Sequence, residues 1–123
     1  MPITFDRNRK TIRRTTAKYQ FTDDNGEIRT EEIGIEYYSL TTAAIKRQIE
    51  RDLQRQKDNP DEPSYYTDIL VDRLHALPDL IDPETKKPIE ITVENLDAMA
   101  LENLTAITDA IKNDADPKSQ PGS

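Results

Sequence analysis

The chain of 123 residues has no cysteine and no tryptophan, a single histidine, three glycines and two phenylalanines. Without cysteine, disulfides and thiolate zinc sites are excluded. His75 has no cysteine and no patterned serine to work with, so a nucleophilic triad is not expected; it reads as a helix-surface or boundary residue. Glycine occurs only at positions 26, 34 and 122, which leaves no phosphate-cradling loop. No apolar run approaches the roughly 20 residues needed to span a bilayer. The first residues lack the apolar segment of a secretory signal, and the expected compartment is the cytoplasm. Carboxylates are plentiful, yet no pair stands out from a generally acidic surface. The expectation is therefore no enzyme, with no catalytic, cofactor-binding or metal-binding residues.

What the chain does have is charge. A third of it is Asp, Glu, Lys or Arg and only 34% is hydrophobic, with a net charge of −7. That is lean for a self-sufficient core of this size, and it points to mobile ends, a homo-oligomer, or both. The charge is uneven. Residues 1–18 carry six basic groups against Asp6 alone, +5, leaving 11 basic against 23 acidic groups, −12, in the remainder. Such an arm can bind nucleic acid or the acidic body of a neighbouring subunit. The overall negative charge argues against general nucleic-acid affinity.

The expected fold is α+β and helix-dominant: an N-terminal β-hairpin or small sheet followed by three to four α-helices. Residues 1–16 read as a basic flexible arm with a candidate edge strand at Ile3–Phe5. Residues 17–111 read as one domain and 112–123 as a disordered polar tail. The hairpin covers 17–37 around Asp23-Asp24-Asn25-Gly26, a strong turn signal because Asn-Gly tolerates positive φ. Turn chemistry accounts for these residues better than a calcium loop does. Ile28 differs in parity from Ile33, Ile35 and Tyr37, which predicts either a bulge near Thr30–Glu32 or the start of a third strand. Gly34 is compatible with a bulge.

Ser39 or Thr41 can cap a first helix over about 41–57, with a narrow apolar stripe of Ile45, Ile49 and Leu53. Asn59-Pro60-Asp61-Glu62-Pro63 breaks it. A second helix over 64–77, capped by Ser64, has Tyr66, Ile69, Leu70, Leu74 and Leu77 at helical spacing. Ile89 and Ile91 can pair as a short strand. Thr92 caps a third helix over 93–111. Leu101 falls more than about 90° off the apolar face of that helix; it either starts a separate helix after a break near Ala100 or is an exposed contact. Asn103-Leu104-Thr105 matches a glycosylation sequon but falls within this helix and carries no weight.

The stretch from Asp82 onward resembles the tail assembly chaperone family of long-tailed, siphophage-type bacteriophages. In that family a turn of the form D-x-x-x-x-K-P-hydrophobic precedes a T-x-E-N-L helix start. A helix with I-x-x-A-I and an acidic Asp/Pro tail follow. The matching residues are Asp82, Lys87, Pro88, Ile89, Thr92, Glu94, Asn95, Leu96, Ile107, Ala110, Ile111, Asp114 and Pro117. The resemblance is best over 78–118, weaker from hairpin to first helix, and does not cover the basic arm. It implies binding to the tape measure protein, keeping that apolar helical chain soluble while tail tube protein polymerises around it in the host cytoplasm. It also implies a longer frameshifted product.

Nine residues are candidates for partner binding. Arg47, Arg51 and Arg55 form a like-charged ridge that would repel without a partner; the alternative is a solvated face partly neutralised by Glu50 and Asp52. Tyr38 and Tyr65 are each the ring set off the core face in a tyrosine pair. Leu96, Leu101, Leu104 and Ile107 complete the set. Two other classes of function compete: a nucleic-acid-binding adaptor using the arm, and a structural virion or connector subunit.

Overall fold

The computed structural model describes residues 2–58 and 66–115, except for the side chains of Tyr66 and Asp68. Strand β1, Ile12–Thr22, and strand β2, Ile28–Tyr38, form a long antiparallel hairpin. Helix α1 spans Thr42–Asp58 and helix α2 spans Tyr66–Arg73. A short strand β3, Leu74–Ala76, then adds antiparallel to β2, so the sheet order is β1-β2-β3. Helices α3, Val93–Asp97, and α4, Leu101–Ala115, complete the described chain.

The helix-dominant expectation is corrected. The fold is α+β with 41% helix and 26% strand, and the sheet is as much the platform as the helices are. The reason is visible in the core. Ala17, Ile33, Ile35 and Tyr37 cover one face of the sheet, and Leu70, Leu74, Leu77, Leu96, Leu104, Ile107 and Ile111 close over it. The longest helix, α1, adds no buried residue to this cluster.

The hairpin starts earlier than expected, at Ile12 rather than after residue 16. Its register runs unbroken from Ile12 opposite Tyr38 to Thr22 opposite Ile28. The parity conflict is resolved without a bulge in this pair or a new strand: Ile28 is simply left in solvent at 76% exposure. Irregularity falls instead on the other edge of β2, between Glu36 and Tyr37 where β3 joins. Gly34 serves close approach: its N–H donates to Asp79 Oδ2 at 2.6 Å, and a methyl group there would stand 3.3 Å from that oxygen. The turn is held by Asp23, whose Oδ1 accepts from the N–H groups of Asn25 and Glu27 at 2.9 and 3.0 Å while Oδ2 meets Arg29. Arg29 first, then these amides, hold the Asp23 carboxyl below the usual carboxylate range. Gly26 supplies the positive φ, +80°.

The second helix is four residues shorter at its end than its periodicity predicts. Leu74 and Leu77 are three residues apart and both buried, as a helical face requires, yet the backbone turns to strand at Leu74. The open edge of β2 decides the matter by offering a backbone ladder to residues 74–76. The N-terminal part of the expected helix, including its cap Ser64 and Tyr65, lies outside the described residues. The expected third helix is two helices, broken at Ala98–Ala100, and Leu101 both begins α4 and stays 66% exposed. Helix α4 runs on to Ala115, past the boundary expected for a tail. No strand forms at Ile3–Phe5 or at Ile89–Ile91; Ile89 and Ile91 instead pack against the core.

Several polar residues of the Asp82–Leu96 stretch have a local task. Asp82 Oδ1 accepts from Glu84 N at 2.8 Å, and Asp82 N donates to Lys87 O at 2.8 Å. Lys86 takes φ +61°, and Pro88 bridges to Ile81. Thr92 Oγ1 caps α3 by accepting from Asn95 N, and Asn95 Nδ2 returns to Glu90 O at 2.8 Å. Turn, bridge and cap deliver Leu96 into the core.

Candidate partner-binding surface

Helix α1 sits on the body with its faces reversed from what burial favours. Thr41 starts it, with Oγ1 accepting from Ala44 N at 3.1 Å. Its half-buried residues are Ala44, Gln48, Asp52 and Arg55, a largely polar set. At 3.6 residues per turn, the stripe of Ile45, Ile49 and Leu53 is centred about a third of a turn away. These three side chains are 44%, 53% and 60% exposed, and Leu40, just ahead of the helix, is exposed as well. Every large aliphatic side chain of α1 therefore faces water.

The seat of the helix is weak. Arg51 Nη1 meets Asp72 Oδ2 of α2, but both side chains are about half exposed. An exposed ion pair contributes about 0–1 kcal/mol. Covering one aliphatic side chain of the stripe contributes about 1.5–3 kcal/mol when burial is complete. The stripe, not the seat, is where α1 has free energy to gain, and only a second surface can supply it.

The charged face of α1 closes over a cleft of about 430 Å³ bounded by residues 5–11, the end of β2, and α2. The expected arginine ridge is thus divided. Arg47 is exposed, Arg51 is tied to Asp72, and Arg55 is shielded, with Asp52 Oδ1 at 3.8 Å. Tyr38 is half-buried at the cleft margin. Its hydroxyl lies 2.8 Å from His75 Nδ1, and Lys10 Nζ stands 4.7 Å from its ring centroid. Arg73 forms part of the cleft lining: its Nε donates to Tyr38 O at 2.7 Å, and burial lowers its guanidinium below the ordinary arginine value.

Three sequence candidates are corrected. Leu96, Leu104 and Ile107 are core residues, at 0%, 6% and 1% exposure, and support the fold rather than meet a partner. Their helical spacing marked an apolar face correctly, but the fold's own core covers it. Leu101 remains presented to solvent. Tyr65 lies outside the described residues. The narrow stripe of α1 is open to solvent, because exposure depends on where the helix docks, which periodicity does not encode.

Comparison with known proteins supplies no relative: no family model, no curated protein and no solved structure matches this chain. Among the described residues no helix is long and apolar enough to cross a membrane, and no group of three or more His, Asp or Glu side chains is placed to hold a metal ion.

Proposed function

We propose that this chain is a binding protein without turnover, a tail assembly chaperone of a long-tailed bacteriophage whose client is the apolar, helical tape measure protein. The observation that carries the reading is the unpartnered stripe of Ile45, Ile49 and Leu53 on α1. A chaperone of a helical client needs an apolar helical face that is stable in water without being covered, and α1 adds no buried residue to the core. An amphipathic helix that docks in a groove does so through an apolar face of this kind, and Ile45, Ile49 and Leu53 at i, i+4 and i+8 share one face. The resemblance over residues 78–118 supports the family assignment.

The test is co-expression with the tape measure protein of the same genome. Wild-type chain should carry the client into the soluble fraction and co-purify with it. Ile45→Gln/Ile49→Gln/Leu53→Gln should lose the client while keeping its far-ultraviolet circular dichroism. Retention of the client by this variant, or absence of co-purification with the wild type, removes the reading.

A further inference from the structure

The cleft beneath α1 is a different surface from the stripe and has its own chemistry. Its lining holds seven arginine and lysine side chains against three carboxylates, an excess of four positive charges. The carboxylates are largely engaged: Asp72 faces Arg51, and Asp52 lies near Arg55. Arg73 is committed to Tyr38 O, and Lys10 lies over the Tyr38 ring. Arg7, Arg9 and Arg47 are exposed and make no side-chain hydrogen bond or ion pair to a described residue. Among the described residues, their guanidinium groups are free cations of the cleft. Phe5, Leu40, Ala44 and Ile69 line the same space and give it apolar walls.

Apolar walls beside like charges focus the field and draw counter-ions. A guanidinium fork matches a phosphate or carboxylate in two parallel hydrogen bonds. A volume near 430 Å³ lies in the range of about 300–1,000 Å³ used by small-molecule sites. A long nucleic acid, in contrast, would extend beyond the cleft over a chain whose net charge is −7.

We infer that the cleft between the N-terminal segment, α1 and α2 binds a small organic anion, an apolar body bearing a phosphate or carboxylate. Arg9 and Arg47 meet the charged group.

The experiment is a titration of the ¹⁵N-labelled full chain followed by amide chemical shifts, with four probes. Phenyl phosphate and benzoate carry the two anionic groups on one apolar body, benzyl alcohol is the neutral control, and inorganic phosphate is the anion alone. At least one aromatic anion should shift the amides of Tyr38, Ala44, Arg47 and Ile69 saturably, and the tighter of the two identifies the preferred anionic group. Benzyl alcohol and inorganic phosphate should bind at least tenfold more weakly. Arg9→Glu/Arg47→Glu should weaken the aromatic anion at least tenfold and leave the amides of β1 and α4 unmoved; Arg47→Gln alone should weaken it less. The inference is overturned if neither aromatic anion saturates or if benzyl alcohol binds equally well. It is also overturned if the glutamate variant binds as the wild type does, or if a single-stranded oligonucleotide binds more tightly than either aromatic anion.

Discussion

The side-chain amide of Asn103 pairs with both backbone groups of Gln20. Its Oδ1 accepts from Gln20 N at 2.9 Å and its Nδ2 donates to Gln20 O at 2.8 Å. Asn103 lies on α4 and is 3% exposed, whereas Gln20 lies on β1, the edge strand of the sheet. The amide imitates a neighbouring strand for one residue. It fixes α4 against the edge and blocks that edge from pairing with another chain.

Replacing Asn103 with Ala should therefore cost about 1–3 kcal/mol, because it leaves part-buried backbone groups without partners. Asn103→Asp keeps the acceptor and loses the donor while placing a carboxylate in the same position, and should cost more than Asn103→Ala. Urea unfolding followed by circular dichroism measures both.

Tyr37 predicts an alkaline limit to stability. It is fully buried, and its hydroxyl donates to Asp114 Oδ2 at the end of α4. Burial first, and the Asp114 carboxylate second, raise its pKa above the ordinary value near 10. In the folded chain the proton is held more tightly than in the unfolded chain. The contribution is therefore complete below about pH 10 and is lost as pH rises through the folded pKa. Thermal unfolding between pH 8 and 11 should show a steeper alkaline fall for the wild type than for Tyr37→Phe.

Core and stripe should respond differently to the same chemistry. Ile107→Ala, deep against the sheet, should destabilise by about 2–5 kcal/mol. Ile49→Ala, on the exposed stripe, should stay within roughly 0.5 kcal/mol of wild type. Equal costs in chemical denaturation would mean that α1 docks through its stripe in the free protein.

The legible parts of the sequence were those set by local chemistry. Asp23 through Gly26 announced the turn, Thr92 announced a cap, and the parity of Ile33, Ile35 and Tyr37 announced the buried face of β2. The illegible parts were set by tertiary partners. Leu74 and Leu77 keep helical spacing, and the open edge of β2 turns Leu74–Ala76 into strand instead. Asn103 drew notice only as part of a sequon, because its partner Gln20 is 83 residues away. The balance between helix and sheet was misjudged for a related reason: α1 is the longest helix, but length alone does not show that a helix contributes nothing to the core. Of the candidate site, the arginine ridge and Leu101 were visible as residues out of place. The stripe of α1 was legible as narrow, but its exposure was not.

The proposed function requires α1 to bind through a stripe left uncovered by its own fold. Amide hydrogen exchange on the free chain and on the complex with the tape measure protein tests it most directly. The account predicts fast exchange across Thr42–Asp58 in the free chain and strong protection of that segment in the complex, with β1, β2 and α4 protected in both. Protection gained elsewhere while α1 continues to exchange rapidly would contradict it.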